Sequence, residues 1–168
     1  QPPESAVGDH PALVVEVMSK IVKKAEEDAF EMSAYHGFKY EIDAGDTTNA
    51  VCDAACTTAR DVHAKAIIAV TKSGYAARRV SKFRPQEPII AATPDPKTFH
   101  QLALSWGVYP VLALNQNDSD ALFLHAVDCA KQVDLVSPGD TVVITAGLPL
   151  NISGTTNILR LMTVEENK

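Results

Sequence analysis

The chain has 168 residues, a formal net charge of -6 and a hydrophobic content of 46%. That content is enough for a packed core, and no apolar run approaches the ~20 residues of a membrane span. The negative charge and the lack of a basic tract argue against general nucleic-acid binding. The chain has three cysteines and no CxxC pair, which predicts a reducing, cytoplasmic setting. Its start has no basic region followed by an apolar one, so we expect no signal peptide.

The first predicted element is an amphipathic helix from Pro11 to about Phe30. No strand accompanies this helix, so its apolar face must pack on something else. We therefore expect residues 1–30 to be the end of a preceding domain, residues 31–46 to be a linker, and residues 47–168 to form one α/β domain. The apolar positions recur at helical steps of three and four residues: Leu13, Val14, Val17, Met18, Ile21, Val22 and Ala25.

Helices and strands alternate from Thr47 onward. Apolar strands separated by helices indicate a parallel sheet with helices on both faces, and two final strands joined only by a loop predict an antiparallel pair. The predicted fold is a three-layer α/β/α sandwich with a mixed five-stranded sheet, mostly parallel, with an antiparallel C-terminal edge strand. The predicted strands are Ala66–Val70, Pro88–Ala92, Val108–Leu114, Thr141–Thr145 and Asn157–Val164, and the helices are Thr47–His63, one opening after Gly74, Pro96–Trp106 and Ser119–Val133.

The turn after the first predicted strand has the composition of an anion site. Thr71, Lys72, Ser73 and Gly74 lead into a helix that opens with Tyr75 and Ala76. Backbone N–H groups, two hydroxyls and one ammonium then converge at a helix N-terminus, which favours a phosphate. The GxxxxGK[ST] spacing is absent, so nothing here positions a nucleotide with magnesium for transfer. A merely solvated connection is the alternative interpretation.

A second polar loop, Gly147–Thr156, follows the fourth predicted strand. Ligands of open α/β sheets bind beyond the carboxyl ends of the strands, and the loop and the turn both lie at such ends. We expect the turn to hold a phosphate and the loop to cover the ligand. The candidate residues of the covering loop are Gly147, Asn151, Ser153, Gly154 and Thr155.

The sequence offers no catalytic grouping. Cys52 and Cys56 are predicted to be small core residues of one helix. No Ser/His/Asp or Cys/His arrangement can be argued, so the chain is predicted to be a binding and interaction module, and an independent enzyme is the weakest hypothesis. The histidines are scattered without metal-ligand spacing and are interpreted as surface or packing residues: His10, His36, His63, His100 and His125.

Several motifs, in order, carry a resemblance to a known family. AIIAVTKSGYAARRVSKFRPQEPIIAAT, LALSWGVYPVL and GDTVVITAGLPLNISGTTNILRL resemble the C-terminal domain of pyruvate kinase. ESAVGDHPALVVEVMSKIVKKAEE is similar to the segment that forms the last helix of that family's catalytic (β/α)8 barrel. The chain departs from the family at Gln1-Pro2-Pro3, which precede Glu4 where the family usually reads Ser-Gly.

The resemblance implies a division of labour. In pyruvate kinases the barrel binds phosphoenolpyruvate, ADP, magnesium and potassium, and transfers the phosphoryl group in glycolysis. Those residues would lie upstream of Gln1, so this chain is expected to hold no cofactor and to be inactive alone. The C-terminal domain binds phosphorylated allosteric effectors and contributes to a cytoplasmic homotetramer.

The same resemblance suggests the kind of effector. Thr71–Gly74 match the family's phosphate loop, but Tyr75 replaces an arginine of many members and Ala76 replaces the last hydroxyl residue. Members activated by fructose 1,6-bisphosphate hold the second phosphate with an arginine in the helix before the Gly-Asp turn, and that position falls on Val133. The covering loop also lacks arginine and lysine. We therefore expect a monophosphate effector, such as AMP, ribose 5-phosphate or glucose 6-phosphate.

Two function classes remain. The chain is either the regulatory part of a phosphotransferase, or a purely structural oligomerisation module with no effector. In the second case the edge strand Asn157–Val164 would be buried at a subunit contact, since it otherwise presents unpaired backbone groups. Retention of Lys72 favours the first class.

Overall fold

The computed structural model describes residues 8–31, 45–150, 152 and 154–166. The chain divides into two compact units, residues 1–40 and 41–168. Most of the predicted linker, residues 32–44, lies outside the described residues, so the domain boundaries stay predictions. Within the described part of the chain, no helix is both long and apolar enough to cross a bilayer.

The first unit contains the predicted amphipathic helix, α1 (Pro11–Glu31). Its polar side carries ion pairs one turn apart, Lys20 with Glu16 at 2.6 Å and Lys24 with Asp28 at 2.8 Å. Such exposed pairs stabilise a helix only weakly. Among the side chains that the structure describes, six large apolar ones of this helix are exposed, including Ile21 at 62%. The helix therefore presents an apolar face, as the sequence predicts.

The second unit contains a mixed five-stranded sheet. Its order is β3-β2-β1-β4-β5. Strand β1 pairs in parallel with β2 and β4, β2 pairs in parallel with β3, and β5 runs antiparallel to β4 at the edge. The predicted sheet is confirmed. The strands are β1 (Ala66–Val70), β2 (Ile89–Thr93), β3 (Val108–Leu112), β4 (Thr141–Ala146) and β5 (Ile158–Thr163).

Helices cover both faces of this sheet. Successive side chains of a strand point to opposite faces, so Ile67 and Ile68, both fully buried, belong to different core clusters. The cluster of Ile67 contains residues of α2, α3 and α4, and the cluster of Ile68 contains residues of α5. The predicted three layers are confirmed. The helices are α2 (Thr47–Asp61), α3 (Tyr75–Lys82), α4 (Pro96–Leu102) and α5 (Ser119–Lys131).

Several elements end earlier than the sequence predicts. Helices α2 and α5 end two residues early, before His63 and Asp134 adopt left-handed φ values of 51° and 55°. Helix α4 ends at Leu102 instead of Trp106, where Ser105 N donates to Leu102 O in a turn. Apolar periodicity continues past these ends, so it could not locate them.

The buried face of α2 agrees with the sequence in part. The sequence predicts a buried side of Ala50, Val51, Ala54, Ala55, Thr58 and Ala59. Ala55 and Ala59 are fully buried, whereas Ala50 and Ala54 are exposed. Cys52 lies in the core cluster as predicted, and Thr48 is buried as well. Alanines fit either face of a helix, so their spacing was a poor guide.

Candidate functional site

The sheet reverses its order at β1, which creates a crevice beyond the strand ends. The chain proceeds from β1 to β2 and β3 on one side and places β4 on the other, and Ala69 pairs with Thr145. A crevice at such a switch point is where open α/β sheets bind ligands. The turn after β1 and the loop after β4 both begin there. The structure therefore brings the two predicted segments together.

Gly74 sets the shape of the turn. It caps α3 with a left-handed φ of 75°, a conformation that favours glycine. A Cβ at this position would lie 2.6 Å from Arg78 Nη1 and 3.1 Å from Thr98 Cγ2. Arg78 also donates to Ser73 O at 2.8 Å. Because α3 begins at Tyr75, the N–H groups of its first turn have no acceptor within the helix.

Neighbouring elements hold the main chain of the turn in place. Thr71 N donates to Ala92 O of β2 at 2.9 Å. Thr98 Oγ1 lies 3.2 Å from Lys72 O and 2.6 Å from Asp95 Oδ2, so its single proton is shared between two acceptors. Asp95 also caps α4 by accepting from Thr98 N at 2.9 Å. These bonds from Thr98 lower the pKa of the Asp95 carboxyl.

Tyr75 lies against Arg79 in the first turn of α3. The guanidinium of Arg79 lies 4.8 Å from the centre of the tyrosine ring and donates to its hydroxyl at 2.8 Å. The position at which the family resemblance implies an arginine therefore holds a tyrosine ring with the Arg79 guanidinium beside it. Ala76, the other departure from the family loop, is buried at 3% exposure.

The covering loop is fastened at both ends. Asn157 accepts from Leu148 N at 2.9 Å and donates to Leu148 O at 2.6 Å. Thr48 Oγ1 lies 3.4 Å from both Gly154 O and Thr156 N, which ties the loop to the start of α2. Gly147 leaves no room for a side chain, because a Cβ there would overlap the carbonyl oxygen of Thr155.

The turn and the loop line one cavity of about 90 Å³. Lys72 is the only lysine or arginine among the described lining residues, and no described carboxylate lines it. Within the described ranges no carboxylate pairs with Lys72 either. The cavity therefore favours an anion. The predicted site residues that line it are Thr71, Lys72, Ser73, Tyr75, Ala76, Gly147, Gly154 and Thr155, whereas Asn151 and Ser153 lie outside the described residues.

A second, more open cavity of about 650 Å³ lies toward α2 and shares the turn with the first. Its charged residues are already engaged: Asp46 accepts from Asn49 N and Nδ2 at 2.9 and 2.6 Å, and Arg78 donates to Ser73 O. A carboxylate and a guanidinium together give it no net preference for an anion. The smaller cavity is the better candidate for a phosphate.

Residues after β3 also line the smaller cavity, and sequence reasoning missed them. The polar residues Asn115, Gln116 and His125 are among those that line it. His125 is half-buried, and Leu114 N donates to its Nε2 at 2.8 Å. The signal was present, since the rule on carboxyl ends of strands applies to β3 as well as to β1 and β4.

Val133 does not carry the argument about a second phosphate. It packs against the core beside α5 and lines neither described cavity. The position that matches the family arginine therefore lies outside both described cavities. The shortage of positive charge in the cavity, where Lys72 is the only lysine or arginine among the described lining residues, carries that argument instead.

The cysteines of α2 and α5 have the environment of inert core thiols. Burial raises the pKa of the Cys52 thiol to about 12 and also raises the pKa of Cys56. Thiolates are the reactive form of cysteine. The prediction that Cys52 fills the core is confirmed by its complete burial.

Fold and site together define an α/β domain with an anion-favouring crevice at the switch point of its sheet. Residues 49–162 match the family described as pyruvate kinase, alpha/beta domain. The chain therefore belongs to the pyruvate kinase family and contains its C-terminal alpha/beta domain.

Relatives agree with this assignment. The chain is 40% identical over 162 residues to a pyruvate kinase of Clostridium acetobutylicum. The aligned region covers 96% of the chain and 34% of that relative. It is 39% identical over 163 residues to one of Lactobacillus delbrueckii subsp. bulgaricus, covering 96% and 28%, and 37% identical over 158 residues to one of Staphylococcus aureus, covering 94% and 27%. The chain spans about a third or less of the length of these relatives.

Proposed function

We propose that this chain is the effector-binding and oligomerisation part of a pyruvate kinase. The phosphate of the effector binds at Thr71–Ala76, and the Gly147–Thr156 loop covers the rest of the molecule. One observation carries the proposal: the two segments line one cavity in which, among the described lining residues, the only lysine or arginine is Lys72 and there is no carboxylate. A phosphate there meets a helix N-terminus, hydroxyls and an ammonium.

The catalytic reaction belongs to the rest of the proposed enzyme. Transfer of phosphate from phosphoenolpyruvate to ADP, with magnesium and potassium, takes place in a barrel upstream of Gln1, and no residue of this chain is assigned to those ions. The exposed apolar face of α1 supports a neighbouring barrel domain, because a helix gains stability by burying such a face. We place the enzyme in the cytoplasm as a homotetramer.

The effector is a monophosphate. A second dianion would need its own charge-assisted partners, each worth roughly 1.5–3 kcal/mol. Lys72 is the one lysine or arginine that the described part of the cavity offers, and the first phosphate uses it. Calorimetric titration with AMP, ribose 5-phosphate, glucose 6-phosphate and fructose 1,6-bisphosphate tests this preference. Micromolar binding of the bisphosphate, with no binding of a monophosphate, would refute it.

Charge reversal at the turn tests the site itself. We expect Lys72→Glu to weaken binding of inorganic phosphate by about 10- to 100-fold, as the loss of one charge-assisted bond implies. Lys65→Glu is the matched control, since Lys65 is exposed at the opposite end of β1 and changes the net charge equally. It should bind phosphate as the unaltered chain does, and sedimentation should give one assembly state for all three proteins.

A structural module is the second candidate function. Strand β5 is an edge strand with Leu161 exposed at 46%, which suits a subunit contact. On this alternative, millimolar phosphate leaves the amide signals of residues 71 to 76 unmoved, and Lys72→Glu changes nothing measurable. That pair of results would overturn the effector proposal and leave assembly as the function.

A further inference from the structure

The smaller cavity extends along the carboxyl edge of the sheet, away from the turn. It is lined by Pro94 after β2 and by Asn115 and Gln116 after β3, in addition to the segments after β1 and β4. The strand order places β3 two strands from β1. A ligand whose phosphate lies at the turn therefore directs its remaining atoms toward the β3 end, where His125 of α5 lines the wall.

Hydrogen bonds fix the proton of His125 on one nitrogen. Leu114 N–H lies 2.8 Å from His125 Nε2, and a backbone N–H can only donate. Nε2 is therefore the acceptor, and Nδ1 carries the proton of the neutral ring. This tautomer is assigned by the bonding pattern.

The neighbouring thiol is compatible with a neutral ring. Cys129 Sγ lies 3.5 Å from His125 Nε2 and 3.7 Å from Leu112 O, which can accept the thiol proton. Burial raises the pKa of Cys129, which favours the protonated thiol as a donor to Leu112 O. The described part of the chain supplies no hydrogen-bond acceptor for Nδ1–H.

We infer that His125 is the second anchor of the ligand and donates from Nδ1 to an uncharged oxygen of a phosphate monoester. The inference rests on the proposed function and narrows its ligand to monoesters with a hydroxyl or carbonyl oxygen beyond the phosphate. A second phosphate at this donor would add little to the binding affinity, because the neutral imidazole offers a hydrogen bond without a charge. Sugar monophosphates and nucleoside monophosphates share the required oxygen.

The first test compares ligands that share a phosphate but differ beyond it. Inorganic phosphate, ribose 5-phosphate and AMP are titrated into the unaltered chain and into His125→Leu and His125→Gln. We expect His125→Leu to bind inorganic phosphate within twofold of the unaltered chain and to bind the better ester about five- to tenfold more weakly. Glutamine has an acceptor for Leu114 and an N–H donor, so His125→Gln should recover part of the loss. His100→Leu, an exposed histidine of α4, is the control.

The outcomes separate the two proposals. If inorganic phosphate does not bind the unaltered chain, the proposed function fails and the inference fails with it. Suppose instead that inorganic phosphate binds the unaltered chain. If His125→Leu then weakens the binding of inorganic phosphate and of the esters equally, or weakens the binding of none of them, only the inference fails. Whichever of ribose 5-phosphate and AMP loses affinity in His125→Leu identifies the class of ester.

The second test needs no variant. Nitrogen-15 spectra of the imidazole rings distinguish a proton on Nδ1 from a proton on Nε2. We expect His125 to carry its proton on Nδ1 in the absence of ligand. A proton on Nε2 would overturn the inference even if the variants of His125 failed to fold.

Discussion

The two segments that line the smaller cavity are built differently. The turn Thr71–Ala76 is short, and its partners lie on the adjacent β2–α4 segment and on α3: Ala92, Thr98 and Arg78. The loop Gly147–Thr156 is longer and depends on Asn157 at its base and on Thr48, more than 100 residues earlier. The described main chain of the turn is therefore bonded to adjacent elements, whereas the described contacts of the loop with other elements lie at its two ends.

This difference suggests separate roles in binding. Groups that contact a charged phosphate must be pre-oriented, because reorganising them would reduce the affinity. A cover must let the ligand enter, so fastening at its ends suits it better than contacts along its length. We therefore expect changes at the base of the loop to affect the cover, and changes around the turn to affect phosphate affinity.

The largest effect should come from closing the space at Gly147. A Cβ in Gly147→Ala overlaps the carbonyl oxygen of Thr155, so the two ends of the loop must move apart. We expect a loss of about 2–3 kcal/mol in the free energy of unfolding, in the range of overpacking changes. Chemical denaturation measures it.

Gly154→Ala is the matched control in the same loop. Its φ of 86° strains a side chain, but nothing lies within 4 Å of the added Cβ. We expect a cost of about 1 kcal/mol. If Gly154→Ala cost as much as Gly147→Ala, the close approach of Gly147 and Thr155 would not be what holds the base of the loop.

A smaller effect should follow removal of the hydroxyl that holds the turn. Thr98→Val keeps the shape of the side chain but loses the contacts with Lys72 O and Asp95. We expect about 1 kcal/mol less stability, the usual net value of a hydrogen bond, together with weaker binding of inorganic phosphate.

Thr57→Val provides the control for that change, because Thr57 is exposed on α2. It should shift stability by less than about 0.5 kcal/mol and leave phosphate affinity unchanged. An unaltered phosphate affinity in Thr98→Val would show that the turn keeps its shape without this hydroxyl.

The same contrast decides what could be predicted from the sequence. The strand β1, the turn and the start of α3 follow one another along the chain, so composition and periodicity were enough to predict them. The parallel sheet also followed from the alternation of apolar strands with helices. Gly147 could be assigned to the covering loop, but its close approach to Thr155 is a contact in space that no spacing indicates.

The rest of the site depends on contacts between distant elements. His125 lines the cavity because α5 places it beside Leu114, whereas the spacing of the histidines suggested no shared site. Counting along the chain led to Val133, which the structure places against the core. The buried face of α2 was predicted only in part, because alanines lie on both faces of the helix and the contact of Thr48 with the loop joins residues far apart in the chain.

The smallest expected effect is a pH dependence at Asp95, beside the turn. Bonds from Thr98, first from its side chain and then from its backbone, lower the pKa of this carboxyl from its ordinary value of 3.8. A lowered pKa in the folded state means that the carboxylate contributes stability above the unfolded value and loses it as the pH falls through the folded one. The window therefore lies below about pH 3.8.

Asp95→Asn isolates this contribution, because asparagine can still accept from Thr98 N but carries no charge. We expect the variant to be less stable than the unaltered chain at pH 6 and the difference to shrink as the pH approaches 3, measured by urea denaturation at each pH. Asp53→Asn, on the exposed side of α2, should show no such convergence. A constant difference across the range would mean that the charge of Asp95 does not stabilise α4 and the turn, and that its cap acts through hydrogen-bond geometry alone.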